Sequence, residues 1–104
     1  MITGAAGDFG AMGITAITQG ALYSLANVVI RENAKTNIRF NELYLAFRVD
    51  YDSVVEETGD SWRTKASDFG RSYQNLLAKK DIKGCRVKLM KPQDIDELDY
   101  HSKI

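Results

Sequence analysis

Apolar positions along this chain change period twice, and glycines mark the boundaries. Residues 1–13 carry Gly4, Gly7, Gly10 and Gly13. Glycine accepts positive φ and lets backbones approach closely, so this segment reads as a loop. From Ile14 to about Asn33 the spacing becomes helical. Ile14, Ala21 and Val28 recur at heptad spacing with Ile17 and Leu25 alongside, and Leu22, Ala26, Val29 and Ile30 widen the apolar surface beyond one stripe. A helix apolar around most of its circumference is covered on two sides, here by a sheet and by a partner helix. The polar remainder, Gln19, Tyr23, Asn27 and Arg31, follows an i, i+4 row.

After a turn at Lys35-Thr36-Asn37, residues 38–49 (IRFNELYLAFRV) are rich in β-forming side chains. Ile38 and Phe40 share one face, whereas Leu43, Leu45, Phe47 and Val49 share the other parity. That switch predicts a bulge, or a strand that ends near Tyr44 and passes into a loop. Residues 50–60 are acidic and carry Gly59, which reads as a surface segment or short helix. A second helix is predicted over 67–80, with Ser67 as N-cap, Asp68 in the first turn, and Lys79 and Lys80 in the last. Phe69, Tyr73, Leu76 and Leu77 line its apolar face, and Trp62 upstream allows a start as early as Ser61. Cys85, Val87 and Leu89 alternate with Arg86 and Lys88 to form a short strand that Pro92 stops. A last acidic helix is expected within 94–100, followed by a frayed tail. The order of loop, long helix, strand, helix, strand describes an α/β arrangement whose parallel strands are joined by a crossover helix.

Composition narrows the class. Fourteen basic residues balance 14 acidic ones across 104 residues, which gives no support to a nucleic-acid or acidic-membrane partner. Cys85 is the single cysteine, so no internal disulfide forms, in keeping with a reducing, cytoplasmic setting. Thr15, Thr18, Gln19, Ser24 and Asn27 interrupt the apolar stretch 14–30, which is too polar and short to span a bilayer. No basic n-region precedes an apolar core, so no signal peptide is expected. A chain this short buries a limited share of its surface and gains from self-association.

Residues 15–41, TAITQGALYSLANVVIRENAKTNIRFN, resemble the block of the short-chain dehydrogenase/reductase family in which a Tyr-x-x-x-Lys helix leads through a turn to an Ile-Arg-x-Asn strand. Gly20-Ala21-Leu22 stands where that family has small residues after its lysine, and Asn37-Ile38-Arg39-Phe40-Asn41 where its sixth strand begins. Residues 1–6 resemble the end of the fifth strand and the loop bearing the catalytic serine. Ser67-Asp68-Phe69-Gly70, the helix after it and residues 84–90 resemble the last helix and last strand. Within the family, the chain is most like divergent fungal members near biosynthetic reductases. The resemblance implies a C-terminal half, hydride transfer between NAD or NADP and a carbonyl or alcohol, and a helix that commonly builds a dimer interface. It also implies a tyrosine acid, a lysine that holds the ribose and lowers the tyrosine's pKa, and a serine that positions the substrate oxygen.

The same alignment exposes departures. The tyrosine position falls on Thr15, whose hydroxyl is far less acidic than a phenol. The lysine position falls on Gln19, an uncharged amide that depresses no neighbour's pKa. The serine position falls on Thr3 or Gly4; Thr3 retains a hydroxyl at a family-typical distance before Thr15. The Pro-Gly usual after the sixth strand is replaced by Glu42-Leu43-Tyr44. A competing alignment places Thr3-Gly4-Ala5-Ala6-Gly7-Asp8-Phe9-Gly10 on the family's cofactor fingerprint, but Asp8 would then set a carboxylate against the pyrophosphate, and no strand precedes Met1. Tyr23, one turn after Gln19, reads either as a displaced acid or as an amphipathic tyrosine at a helix interface. His101 alone supports neither a metal site nor a Ser-His-Asp triad. Cys85 reads as a small core residue, and Asp50, Asp52, Glu56, Glu57 and Asp60 lack calcium-loop spacing and read as a solvated face.

The expectation is one domain over 1–104, a partial Rossmann-like α/β unit with a small parallel sheet of two or three strands, a long helix and a crossover helix. Its function is expected to be that of a truncated short-chain dehydrogenase/reductase, inactive alone, with Thr3, Thr15 and Gln19 as degenerate catalytic positions and no metal. NAD or NADP enters by resemblance only and is not expected to bind this chain alone. The alternative is a non-enzymatic interaction module that dimerises or pairs with a full-length homologue through its long helix.

Overall fold

A computed structural model describes residues 1–10, 12–59 and 63–104. Strand β1 (Ile2–Gly4) leads through a one-turn helix α1 (Ala6–Phe9) to the long helix α2 (Ile14–Glu32), which crosses over to β2 (Glu42–Leu45). Strand β3 (Arg48–Asp50), helix α3 (Asp52–Thr58), strand β4 (Arg63–Lys65) and helix α4 (Ala66–Ala78) follow. Strand β5 (Cys85–Leu89), helix α5 (Asp94–Glu97) and strand β6 (Asp99–Ser102) complete the chain. The main sheet has the order β1-β2-β5-β6, and β3 and β4 form a separate parallel pair. Strands β1, β2 and β5 run parallel, with Ile2 opposite Leu43 and Leu43 opposite Val87. Parallel neighbours need crossovers, and α2 and α4 supply them. The α/β class and the small, mostly parallel sheet are therefore as expected.

The apolar core lies between the sheet and α4. Leu43, Val87 and Leu89 from the sheet meet Phe69, Ile82 and Ile95, all nearly or fully buried. Strand β5 shows the expected alternation, with Cys85, Val87 and Leu89 buried and Arg86 and Lys88 half-buried.

The Arg39 and Asn41 side chains tie this layer together. The Arg39 guanidinium donates to the carbonyls of Leu76, Lys79 and Ile82 at 3.3, 2.9 and 3.3 Å, satisfying acceptors that the C-terminus of α4 leaves open. The Asn41 amide donates to Ile82 O at 3.0 Å and accepts from Cys85 N–H at 3.0 Å. The Arg-x-Asn pattern thus fastens the α4–β5 connection to the start of β2.

Several expectations are corrected. Residues 1–13 are not all loop, because pairing with β2 orders β1 and Gly10, at φ 63°, caps α1. The strand predicted from Ile38 begins only at Glu42, because the side chains before it serve the α4 connection; it ends at Leu45, close to the strand end predicted near Tyr44. Ser67 is not an N-cap. Helix α4 starts at Ala66, and the Asp52 carboxylate of α3 accepts the Ser67 N–H at 3.1 Å. The predicted apolar face of α4 divides: Phe69 is buried and Leu76 packs on the core, while Tyr73 and Leu77 are exposed. The tail does not fray, because β6 pairs antiparallel with β5 and Lys103 N–H donates to Gly84 O at 2.9 Å. Helix α2 packs on the sheet through its inner side, where Ala26 and Ile30 are buried. Expectations for Asp60, Ser61 and Trp62 lie outside the described residues.

Candidate active site

In open α/β sheets, ligands bind beyond the carboxyl ends of the strands. Here Gly4 and Leu45 end β1 and β2 beside a groove of about 430 Å³, lined chiefly by Ala5, Phe9, Met12, Phe47 and Arg48. Arg48 Nε pairs with Asp50 Oδ2 at 2.8 Å.

The three sequence-predicted positions do not converge on a shared group. Thr3 is 1% exposed, and its hydroxyl donates to Glu42 Oε1 at 3.1 Å, on the sheet face beneath α2. Gln19 Oε1 accepts the Gly4 N–H at 2.6 Å. Thr15 is exposed in the first turn of α2; its carbonyl accepts from the Thr18 hydroxyl at 3.0 Å, and its own hydroxyl has no partner among the described residues. Helix α2 thus carries Gln19, not Thr15, to the end of β1.

Tyr23 stands one turn further along α2 on the same side, and its hydroxyl donates to Gly4 O. Gly7 makes this approach feasible: a Cβ there would lie 2.9 Å from the Tyr23 ring and 3.1 Å from Gly20 N. Burial raises the Tyr23 phenol above its ordinary pKa, and the charge of Asp8 raises it further. The phenol is therefore biased toward a held proton, the opposite of the lowered pKa the family's acid relies on. Of the two readings of Tyr23, the geometry matches the amphipathic interface residue.

Beneath α2 lies a polar network that the sequence did not announce. Glu42 is fully buried and accepts from Arg86 Nε and Nη2, both at 3.0 Å, and from Lys103 Nζ at 2.9 Å. Burial opposes ionisation of Glu42, but these hydrogen bonds and the two positive charges outweigh it and hold the carboxyl below the ordinary range. The Arg86 guanidinium carbon lies 5.0 Å from the Tyr23 ring centroid and 4.7 Å from that of Tyr44, a cation–π contact with each of two neighbouring rings. The Tyr44 hydroxyl donates to Asp8 Oδ2 at 2.7 Å. Burial, followed by the Asp8 hydrogen bond and charge, pushes that phenol well above its ordinary value. Asp8 is thereby held against Tyr44, which does not match a fingerprint loop whose N–H groups face an anion. The available signal was a Glu inside an apolar strand run, needing a cationic neighbour; Arg86, opposite Glu42 in register, was read only as a polar alternate of the short strand 85–89. Cys85 is a buried free thiol, as expected, and burial raises its pKa. His101 lies on β6, exposed. Among the described residues no cluster of His, Cys, Asp or Glu is arranged to hold a metal ion, and no helix is long and apolar enough to cross a membrane.

The chain is 53% identical over 105 aligned residues to the short-chain dehydrogenase/reductase iacG of Pestalotiopsis fici, an alignment covering 99% of this chain and 42% of that protein. The resemblance read from residues 15–41 is thus borne out, and it extends over nearly the whole chain. The chain spans less than half the length of the relative it matches. No family model matches it, and no solved structure matches it.

Proposed function

On this kinship with the short-chain dehydrogenase/reductases, we propose that residues 1–104 form one domain corresponding to the C-terminal half of the family fold, without hydride-transfer activity of its own. The supporting observation is the engagement of the catalytic positions. The Thr3 hydroxyl serves Glu42, the Gln19 amide serves Gly4, and Thr15 offers solvent a weakly acidic hydroxyl. The residues present do not fit a nicotinamide cofactor. Gln19 brings no charge to the lysine's place, and Asp8 puts a carboxylate where the glycine segment would have to receive an anion. NAD or NADP use belongs to the full-length family, and a cytoplasmic setting belongs to the same proposal.

The test has two arms. Calorimetric titration of the chain with NADH and NADPH should show no binding in the low micromolar range. The second arm is a chimera with a cofactor-binding half from an active homologue joined before Met1, assayed on several ketones. Carbonyl reduction should be absent until Thr15→Tyr and Gln19→Lys are combined, since residues acting as a unit are not additive. An unmodified chimera with full activity overturns the proposal.

A second reading is favoured by the outer side of α2. Ile14, Ile17, Leu25 and Val28 are 77, 73, 51 and 51% exposed, an apolar stripe that water leaves unfavourable. In this reading the chain dimerises or pairs with a full-length homologue through α2. Sedimentation should show a dimer or larger species, which Leu25→Asp with Val28→Glu dissociates; a monomer at all concentrations rules it out.

A further inference from the structure

The geometry points to a binding site for a small organic carboxylate at the N-terminus of α4. A cavity of about 230 Å³ opens there, and its described walls come from residues 55–95. None of them lines the groove at the ends of β1 and β2. Val55 of α3, Pro92, and Ile95 of α5 form an apolar side, while Thr64 and Lys65 of β4 and Arg71 of α4 form a polar one. Thr64 is the decisive residue. It is 6% exposed, and its hydroxyl has no hydrogen-bond partner among the described residues. Buried polar groups are almost always satisfied, and one left unpaired costs stability. The missing partner is then a group that the folded chain does not itself supply. One step of χ1 exchanges the positions of a threonine's hydroxyl and methyl, so this wall can turn the hydroxyl to a guest without repacking.

The surroundings select the charge of the guest. A helix N-terminus carries partial positive charge and open N–H groups, which favour an anion. Lys65, at the N-cap position, supplies no side-chain cap, and the Ser67 N–H is held from α3 by Asp52. Lys65 and Arg71 add two cations. Lys65 is paired with Glu56 at 3.0 Å, and Arg71 with Asp68 and Asp96 at 2.8 and 3.2 Å. Ion pairs exposed in this way are weak, so a guest carboxylate can share both cations. Asp68 also lines the cavity, and its charge favours a guest with one negative charge over a phosphate with two. The apolar side fits a short hydrocarbon body, and the volume lies below that of pockets for drug-sized ligands.

The probe is isovalerate, followed through the backbone amide NMR shifts of Thr64, Lys65 and Ala66. It should bind with a dissociation constant of about 1 mM, and isovaleramide and inorganic phosphate should bind about tenfold more weakly or worse. Thr64→Val should weaken isovalerate about tenfold, as expected for loss of one hydrogen bond to a charged group, while Thr64→Ser should keep it. A second readout separates this role from a structural one. Thr64→Val removes the unpaired hydroxyl and keeps the side chain's shape, so its urea midpoint should rise as its affinity falls. Lys65→Met, at the rim, should weaken binding without that rise. The proposal is overturned by absent isovalerate shifts, by equal binding of isovaleramide or phosphate, by unchanged affinity in Thr64→Val, or by a fall in the urea midpoint of that variant.

Discussion

The two faces of the main sheet are built by different physics. Beneath α4, Leu43, Val87 and Leu89 close against Phe69, Ile82 and Ile95 in an apolar layer, with the polar ties of Arg39, Asn41 and Asn75 at its margin. Beneath α2, the same strands present Thr3, Glu42, Tyr44 and Arg86, every one of which has a named partner. Apolar burial is non-directional and tolerates small shifts, whereas a buried carboxylate tolerates none of its partners being absent. The first face gives the fold its bulk stability. The second specifies how α2 and the β1 end sit on the sheet.

The largest effect should come from splitting the ion pair. Glu42→Ala leaves Arg86 and Lys103 facing an unmatched cavity and should cost about 3–5 kcal/mol in urea unfolding. Replacing Glu42 by Leu and Arg86 by Met together should cost clearly less, because no charge is then stranded. The same carboxylate sets an acid limit. Its folded pKa is depressed, so its contribution is complete above the unfolded value of about 4.3 and is lost as pH falls through the lower folded value. Urea midpoints measured from pH 7 to 3 should fall at the acid end, and Glu42→Gln should flatten that fall. A steep acid limb unchanged in Glu42→Gln would break the comparison between the faces.

On the apolar face, Leu89→Ala should cost about 3 kcal/mol with no added pH dependence. The smallest change, Tyr44→Phe, removes the hydrogen bond to half-exposed Asp8 and should cost about 1 kcal/mol. If Tyr44→Phe proved costlier than Leu89→Ala, the division of labour proposed here would be reversed.

Legibility in the sequence followed the same division. The apolar face was readable because its signal is local: Cys85, Val87 and Leu89 alternate within β5. The short helix after residue 50 and the stop at Pro92 were also legible. The polar face was not, because its meaning lies in pairs distant along the chain. Nothing near Glu42 announces Arg86 or Lys103, and nothing near Ser67 announces that Asp52 will accept its N–H. Strand β6 was missed for a related reason: Asp-Tyr-His-Ser has no apolar alternation, and its ladder comes from β5 rather than from its own side chains. Thr3, Thr15 and Gln19 were located by resemblance, which places residues along a family pattern but does not say what each side chain holds.

The return of β6 onto β5 bears on the order in which the chain folds. These two strands are joined through one short helix, and Asn75 of α4 reaches Ile95 across a separation of only 20 positions. By contrast, Thr3 and Glu42 lie 39 positions apart and Glu42 and Arg86 lie 44 apart. Closing the shorter loops costs less chain entropy, and local contacts form sooner. The unit from α4 through β6 is therefore expected to assemble as the nucleus, with β1 and α2 docking late. Substitutions at Ile95 should slow refolding, whereas substitutions at Thr3 or Tyr23 should mainly hasten unfolding, so the polar face would govern how long the native state lasts rather than how quickly it is reached.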